Sequence, residues 1–223
     1  MSIINQVQTE QEVFFWKVIE ESNQQEGEGW EDYDQEEHID EIIDKLSQTD
    51  KNHLIVFEKV MQQKLHELYT AEIAELYMIL LCDFSVDEDK IEFEDYISED
   101  EFIYFRCWLL LKGKAFFDDI QKDIENFVNG EYSFDISECW GEELLYVADA
   151  ANEVMNGVEQ SEEIRDTVFE LYPDLVHYDN VEETMNREIH NGLKLQQVYP
   201  ELVAEICDVR MEAEENDDDD DEI

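Results

Sequence analysis

The stretch Ser98-Glu-Asp-Glu-Phe-Ile-Tyr-Phe-Arg-Cys-Trp-Leu-Leu-Leu-Lys-Gly113 decides the fold class. Ser98 and Glu101 stand three apart, the spacing of a capping box, in which two side chains satisfy orphaned backbone N–H groups at a helix start. Phe102, Phe105 and Leu109 follow at helical spacing, and Gly113 stops or kinks the helix. The same grammar recurs on both sides. Upstream, Thr9 and Glu12 form a second capping box before Val13, Trp16 and Glu20, predicting a helix that ends near Asn23. Ile39, Ile42, Ile43 and Leu46 mark an amphipathic helix, and Thr49 or Asp50 caps the next, whose stripe runs from Leu54 to Leu68 and on towards Leu80. Downstream, a helix is expected over 114–128, an extended segment over 131–137, and a helix over 142–156 with Leu144, Leu145, Ala148, Ala151 and Met155 inward.

Composition agrees. Seven glycines and two prolines make up about 4% of the 223 residues, against roughly 12% in a typical domain, so tight hairpin turns are scarce. The expected fold is mainly α: a compact multi-helix domain over 1–156, a small helical extension over 157–211 and a disordered acidic tail over 212–223. Within the extension, helices are expected near 161–171, 180–190 and 200–213, and Leu171–Val176 is nearly copied at Val198–Val203. Two copies are too few for a solenoid.

Charge narrows the function. The chain has 62 acidic and 14 basic side chains, a formal net charge of −48. Such a surplus repels a phosphate backbone and anionic lipid, so direct nucleic-acid binding and membrane docking are excluded as expectations. Disorder is not forced, because 43% of residues are hydrophobic and 12% aromatic. Nine acids lie in 212–223, leaving −39 on the first 211 residues. Residues 20–44 carry twelve acids and no Lys or Arg; residues 83–101 carry ten acids with Lys90 alone as a base. Solubility and salt adaptation also produce acidic chains, though Glu here outnumbers Asp by 38 to 24. Four widely spaced cysteines (Cys82, Cys107, Cys139, Cys207) read as reduced and mostly buried. The first sixteen residues carry no basic n-region or apolar h-region, and apolar runs such as Tyr77–Cys82 reach about a quarter of a membrane span. A cytoplasmic location is expected.

Catalytic and cofactor signatures are absent. No G-x-S-x-G elbow, Walker A loop or G-x-G-x-x-G fingerprint occurs. His66-Glu67 has Thr70 where a zinc-protease helix places its second histidine, and Asp87–Asp95 lacks the turn glycine of an EF-hand. No catalytic residue, metal site or cofactor is therefore assigned.

Three segments carry a resemblance: Glu12-Val-Phe-Phe-Trp-Lys-Val-Ile-Glu, Tyr104-Phe-Arg-Cys-Trp-Leu-Leu-Leu-Lys-Gly-Lys-Ala-Phe-Phe and Glu142-Glu-Leu-Leu-Tyr-Val-Ala-Asp-Ala-Ala. Over residues 10–156 the chain resembles the bacterial "domain of unknown function 4240" family, which implies a helical fold and a bacterial cytoplasm but no activity.

The function expected is a non-catalytic acidic module engaging a basic protein: an immunity or antitoxin factor covering a toxin's or nuclease's basic groove, or a DNA mimic that inhibits a DNA-binding protein. The candidate acidic face comprises Glu28, Glu31, Asp32, Asp34, Glu36, Glu37, Asp87, Glu88, Asp89, Glu92, Glu94 and Asp95, with Trp30, Tyr33 and Tyr96 as interface aromatics. The alternative is an enzyme or ligand-binding regulator with a small anion cleft at Arg106, Lys112 and Lys114. Arg106 is otherwise expected to pair with Glu142 or Glu143.

Overall fold

A computed structural model describes residues 3–23, 33–129, 136, 139–157, 162–178 and 184–220. Its described elements are helices α1 (Ile3–Ser22), α2 (Gln35–Ser47), α3 (Lys51–Glu67) and α4 (Ala71–Leu81), strands β1 (Phe84–Asp87) and β2 (Lys90–Phe93), then α5 (Glu99–Leu111), α6 (Lys114–Lys122) and α7 (Asn126–Asn129). A 3-10 turn (Glu142–Tyr146) leads into α8 (Val147–Asn156), followed by α9 (Glu163–Leu171), α10 (Leu193–Val198) and α11 (Pro200–Asp220). The fold is mainly α. Among the described residues no helix is long and apolar enough to cross a membrane.

The chain forms two units that are not contiguous in sequence: Met1–Leu68 with Glu99–Asp118 and Ser133–Glu183, and Tyr69–Ser98 with Asp119–Tyr132 and Thr184–Ile223. In the first unit α3 packs against α1, α5, α8 and α9. Phe57, Met61 and Leu65 of α3 are buried with Phe15 and Ile19 of α1 and Phe105 and Trp108 of α5. α5 is buried on nearly every face, which is why its run from Phe105 to Leu111 carries almost no polar interruption. α9 joins this unit because the Asp149 carboxylate of α8 accepts from the backbone N–H groups of Ile164 and Arg165, satisfying donors that open α9. In the second unit α11 packs on α4 and α7, and α10 on β2 and α11.

Local signals were realised where they were strong. Asp50 caps α3 by accepting from the N–H groups of Asn52 and His53, Gly113 ends α5 at φ +90°, and all four cysteines are buried and unbridged. Other expectations need correction. α1 begins six residues before Thr9, since nothing from Ile3 to Gln8 breaks a helix. Thr70 caps a new helix, so the long stripe is two helices rather than one. The expected 142–156 helix opens as a 3-10 turn, and Met155 is 37% exposed rather than inward. The helix expected over 180–190 is absent from 184–190, and α10 stands later. Pro200 opens α11 whereas Pro173 lies in a turn, so the near-copied hexapeptides are not structural repeats. α11 runs from Pro200 to Asp220, into the acidic stretch that begins at 212. Of the segment expected to be extended over 131–137, residues 131–135 and 137 lie outside the described set.

The hairpin β1–β2 was not foreseen. Its register pairs Phe84 with Phe93 and Asp87 with Lys90 across a turn in which Glu88 takes φ +56°, a conformation that costs a non-glycine residue about 1–2 kcal/mol. Gln196 of α10 holds the turn from both sides. Its amide nitrogen donates to the Asp89 carbonyl (2.9 Å) and its amide oxygen accepts from the Ile91 N–H (3.2 Å).

One buried carboxylate gives the first unit a pH dependence. Glu58 of α3 is buried; burial pushes its pKa up to about 7, against the lowering effects of the Gln62 hydrogen bond (2.9 Å) and the Arg165 charge. Asp149 of α8 and the Cys107 thiol of α5 are its other ionisable neighbours. Because the folded value exceeds the unfolded one, this group favours folding most at acid pH, and its contribution is lost as pH rises through about 7. The expected loss is on the order of 2–3 kcal/mol between pH ~5 and ~8. Urea unfolding at both pH values should show that E58Q removes most of this slope. An unchanged slope in E58Q would place the pH dependence elsewhere.

Candidate protein-interaction surface

The four arginines all turn inward. Arg106 of α5 is 1% exposed, and its guanidinium donates to the carbonyls of Leu65 (2.8 Å), Tyr178 (3.2 Å) and Phe102 (3.3 Å) while lying 4.8 Å from the Phe102 ring. Leu65 sits in the last turn of α3, where carbonyls lack helical partners and the helix dipole favours a cation. Arg210 repeats the device at the end of α4, donating to the carbonyls of Ile79 (3.0 Å) and Cys82 (2.9 Å). Arg165 donates to the Leu145 carbonyl (2.8 Å). Arg187 grips the buried carboxylate of Glu75 with both terminal nitrogens and reaches Glu72 through Nε (2.8 Å).

The pairing of Arg106 with Glu142 or Glu143 is thus corrected: its described acceptors are carbonyls, and Glu142 instead accepts from the Tyr146 hydroxyl (3.2 Å). Arg106, Lys112 and Lys114 also meet different partners. Lys112 is buried, its ammonium 3.8 Å from the Tyr33 ring centroid and 4.8 Å from that of Trp108. Lys114 is exposed and pairs with Asp118. Lys64, also buried, bonds Glu12 (3.2 Å) and Glu67 (2.9 Å).

The described carboxylates mostly face outward. Among the described residues only Glu58, Glu75 and Asp149 are buried acids. In the first unit Asp34 caps α2 by accepting from the Glu37 N–H (3.0 Å), and Glu36 and Glu37 lie exposed in its first turn, where the helix dipole favours negative charge. Glu28, Trp30, Glu31 and Asp32 lie outside the described residues. Tyr33 is half-buried; its hydroxyl meets His38 Nδ1 at 2.9 Å and its ring carries Lys112, so it braces the unit rather than projecting. The neighbouring His38 is buried, and that burial lowers its pKa to about 4, keeping it neutral beside Lys112.

In the second unit Asp87, Glu88 and Asp89 are exposed around the hairpin turn. Glu92, Glu94, Asp95 and Tyr96 line a shallow, open depression of about 420 Å³ together with Phe93, Asn191 and Gly192. Tyr96 is 74% exposed there. Among the described residues no group of three acids, histidines or cysteines is placed to hold a metal ion.

A cluster that spacing did not reveal lies on the first unit. The Trp140 indole, 41% exposed, packs against the Tyr104 ring with centroids 4.4 Å apart, and Tyr146 beside it is 47% exposed. Gly141 makes this possible: its N–H donates to the Tyr104 carbonyl (3.1 Å), and the segment runs so close over α5 that no side chain fits at 141. The Gln35 amide donates to the Trp140 carbonyl (2.6 Å). Desolvation and the Glu142 charge raise Tyr104 to about 12, and the same two causes raise Tyr146, so both phenols stay protonated and able to donate to Glu142. The only signal in the sequence was Trp-Gly itself, an aromatic next to a glycine.

Fold and surface together define a mainly helical acidic protein whose arginines are consumed internally. The chain belongs to the family described as "protein of unknown function (DUF4240)", whose model matches residues 10–153, nearly two thirds of its length. That span includes both acidic stretches, Arg106 and the Trp140 cluster, but not Arg187 or Arg210. No curated protein and no solved structure matches the chain.

Proposed function

We propose that this protein is a non-catalytic cytoplasmic binding module that engages a basic protein through its outward carboxylates. It acts either as an immunity or antitoxin factor that covers a toxin's cationic groove or as a DNA mimic that occupies a DNA-binding protein. One observation carries this reading: the arginines are spent on internal carbonyls and carboxylates, while the acids of α2 and of the hairpin stand in solvent. A surface arranged this way repels acidic competitors and steers a cationic partner into encounter. Capture from a lysate of the source cells at low salt, followed by salt elution and native mass spectrometry, tests it. The expected result is a basic protein in a complex of fixed stoichiometry. Recovery of acidic and neutral proteins alone would refute the reading.

A further inference from the structure

We propose that the Tyr104–Trp140–Tyr146 cluster is the docking point for an arginine side chain of the basic partner. The inference rests on the binding-module reading and adds to it a place and a chemistry. Carboxylates alone attract any cation without choosing among them. Exposed aromatic rings fixed beside carboxylates do choose, because a flat guanidinium stacks on an indole face and bonds a carboxylate at its edge, whereas an ammonium does only part of this.

The required parts stand together. Trp140 and Tyr104 present adjoining rings 4.4 Å apart. Tyr146 flanks Glu142 through its hydroxyl, and Asp100, exposed one turn before Tyr104 on α5, adds to the negative charge around the phenol. Glu143 is exposed next to Glu142. Arg165 of this chain already lies over the Tyr146 ring, its guanidinium carbon 5.4 Å from the centroid, and donates to the Leu145 carbonyl, which leaves the Trp140 indole and the adjoining Tyr104 ring for an incoming guanidinium. The frame is rigid for a surface feature: the Trp140 and Gly141 backbone is held by Gln35 and by the Tyr104 carbonyl, so little ordering is needed on binding. Large aromatics that keep over two fifths of their surface in water, ringed by acids, have the composition of an interface anchor rather than of a core edge.

Nona-arginine and nona-lysine peptides separate this from plain charge attraction. Titration of the full chain, followed by the Trp140 indole N–H resonance (assigned with W140F), should shift that resonance. Nona-arginine should bind about threefold to tenfold more tightly than nona-lysine, and W140A should abolish the preference while leaving the salt dependence unchanged. Should W140A fail to fold, the indole resonance of the native chain still decides. Equal affinity for both peptides, an unmoved indole resonance at saturation, or a preference that survives W140A would overturn the docking site and leave the binding module standing. An indole shift that depends on protein concentration without peptide would assign the cluster to self-association and overturn it as well. Failure of both peptides to bind would remove the module reading itself.

Discussion

Replacing Arg187 with Met is expected to destabilise the second unit by about 3–5 kcal/mol, the cost of leaving one half of a buried ion pair behind. Glu75 is fully buried and holds its charge because Arg187, the His190 backbone N–H and the Tyr199 hydroxyl (2.7 Å) all donate to it. Burial alone would raise the Glu75 pKa; those donors reverse the effect and hold it below the ordinary glutamate range. R187M removes the dominant donor and its charge together. E75Q should cost less, because Arg187 keeps Glu72 and is partly solvated. The pH sign follows. A depressed carboxylate pKa contributes stability above the unfolded value and loses it as pH falls through the folded one, so the gap between the native chain and R187M should close in acid. Hydrogen exchange of α4 amides reports the loss directly. Equal protection of α4 in both proteins at neutral pH would show the pair to be energetically idle.

G141A is the second large effect. A methyl at 141 would lie 2.7 Å from the Trp108 backbone nitrogen and 3.0 Å from both the Cys107 carbonyl carbon and Trp108 Cα. All three are helix backbone and cannot rotate aside, so the segment must lift off α5 with Trp140 and Glu142. Overpacking of this kind costs about 1–3 kcal/mol, roughly 2–12 °C in Tm for a chain of this size. Where space is open, a Gly-to-Ala change is instead stabilising by about 0.4–1 kcal/mol through the unfolded chain. The sign of the Tm change therefore decides whether the close approach is real. G157A is the control: nothing lies within 4 Å, and only the left-handed backbone (φ +62°) resists it, at about 1–2 kcal/mol. A rise in Tm for G141A would contradict the packing of this segment.

Helices were legible because their signals are local. Ile39, Ile42 and Leu46 recur on one face, Asp50 sits directly before its helix, and Gly113 directly after. The hairpin was not legible, because Glu88 occupies a turn position that usually calls for Gly or Asn and Gln196, over a hundred residues away, holds the turn. Arg106 failed for the same reason. A guanidinium among acids suggests a carboxylate partner, but the α3 terminus offers carbonyls at the negative end of a helix, visible only once α3 and α5 are packed. Density of charge did locate the exposed acids of α2 and of the hairpin. It could not show that Tyr33 would be enclosed with His38 and Lys112, or that Tyr104, Trp140 and Tyr146, separated by 36 and 6 residues, would meet around Glu142.

The most direct test of a steered acidic binding surface is the association rate constant of the captured basic protein, measured by stopped flow from about 0.05 to about 0.5 M salt. The rate constant should fall at least tenfold over that range while the dissociation rate changes little, the signature of carboxylates acting before contact is made. An association rate indifferent to salt would contradict the claim that this protein's acidity exists to find its partner.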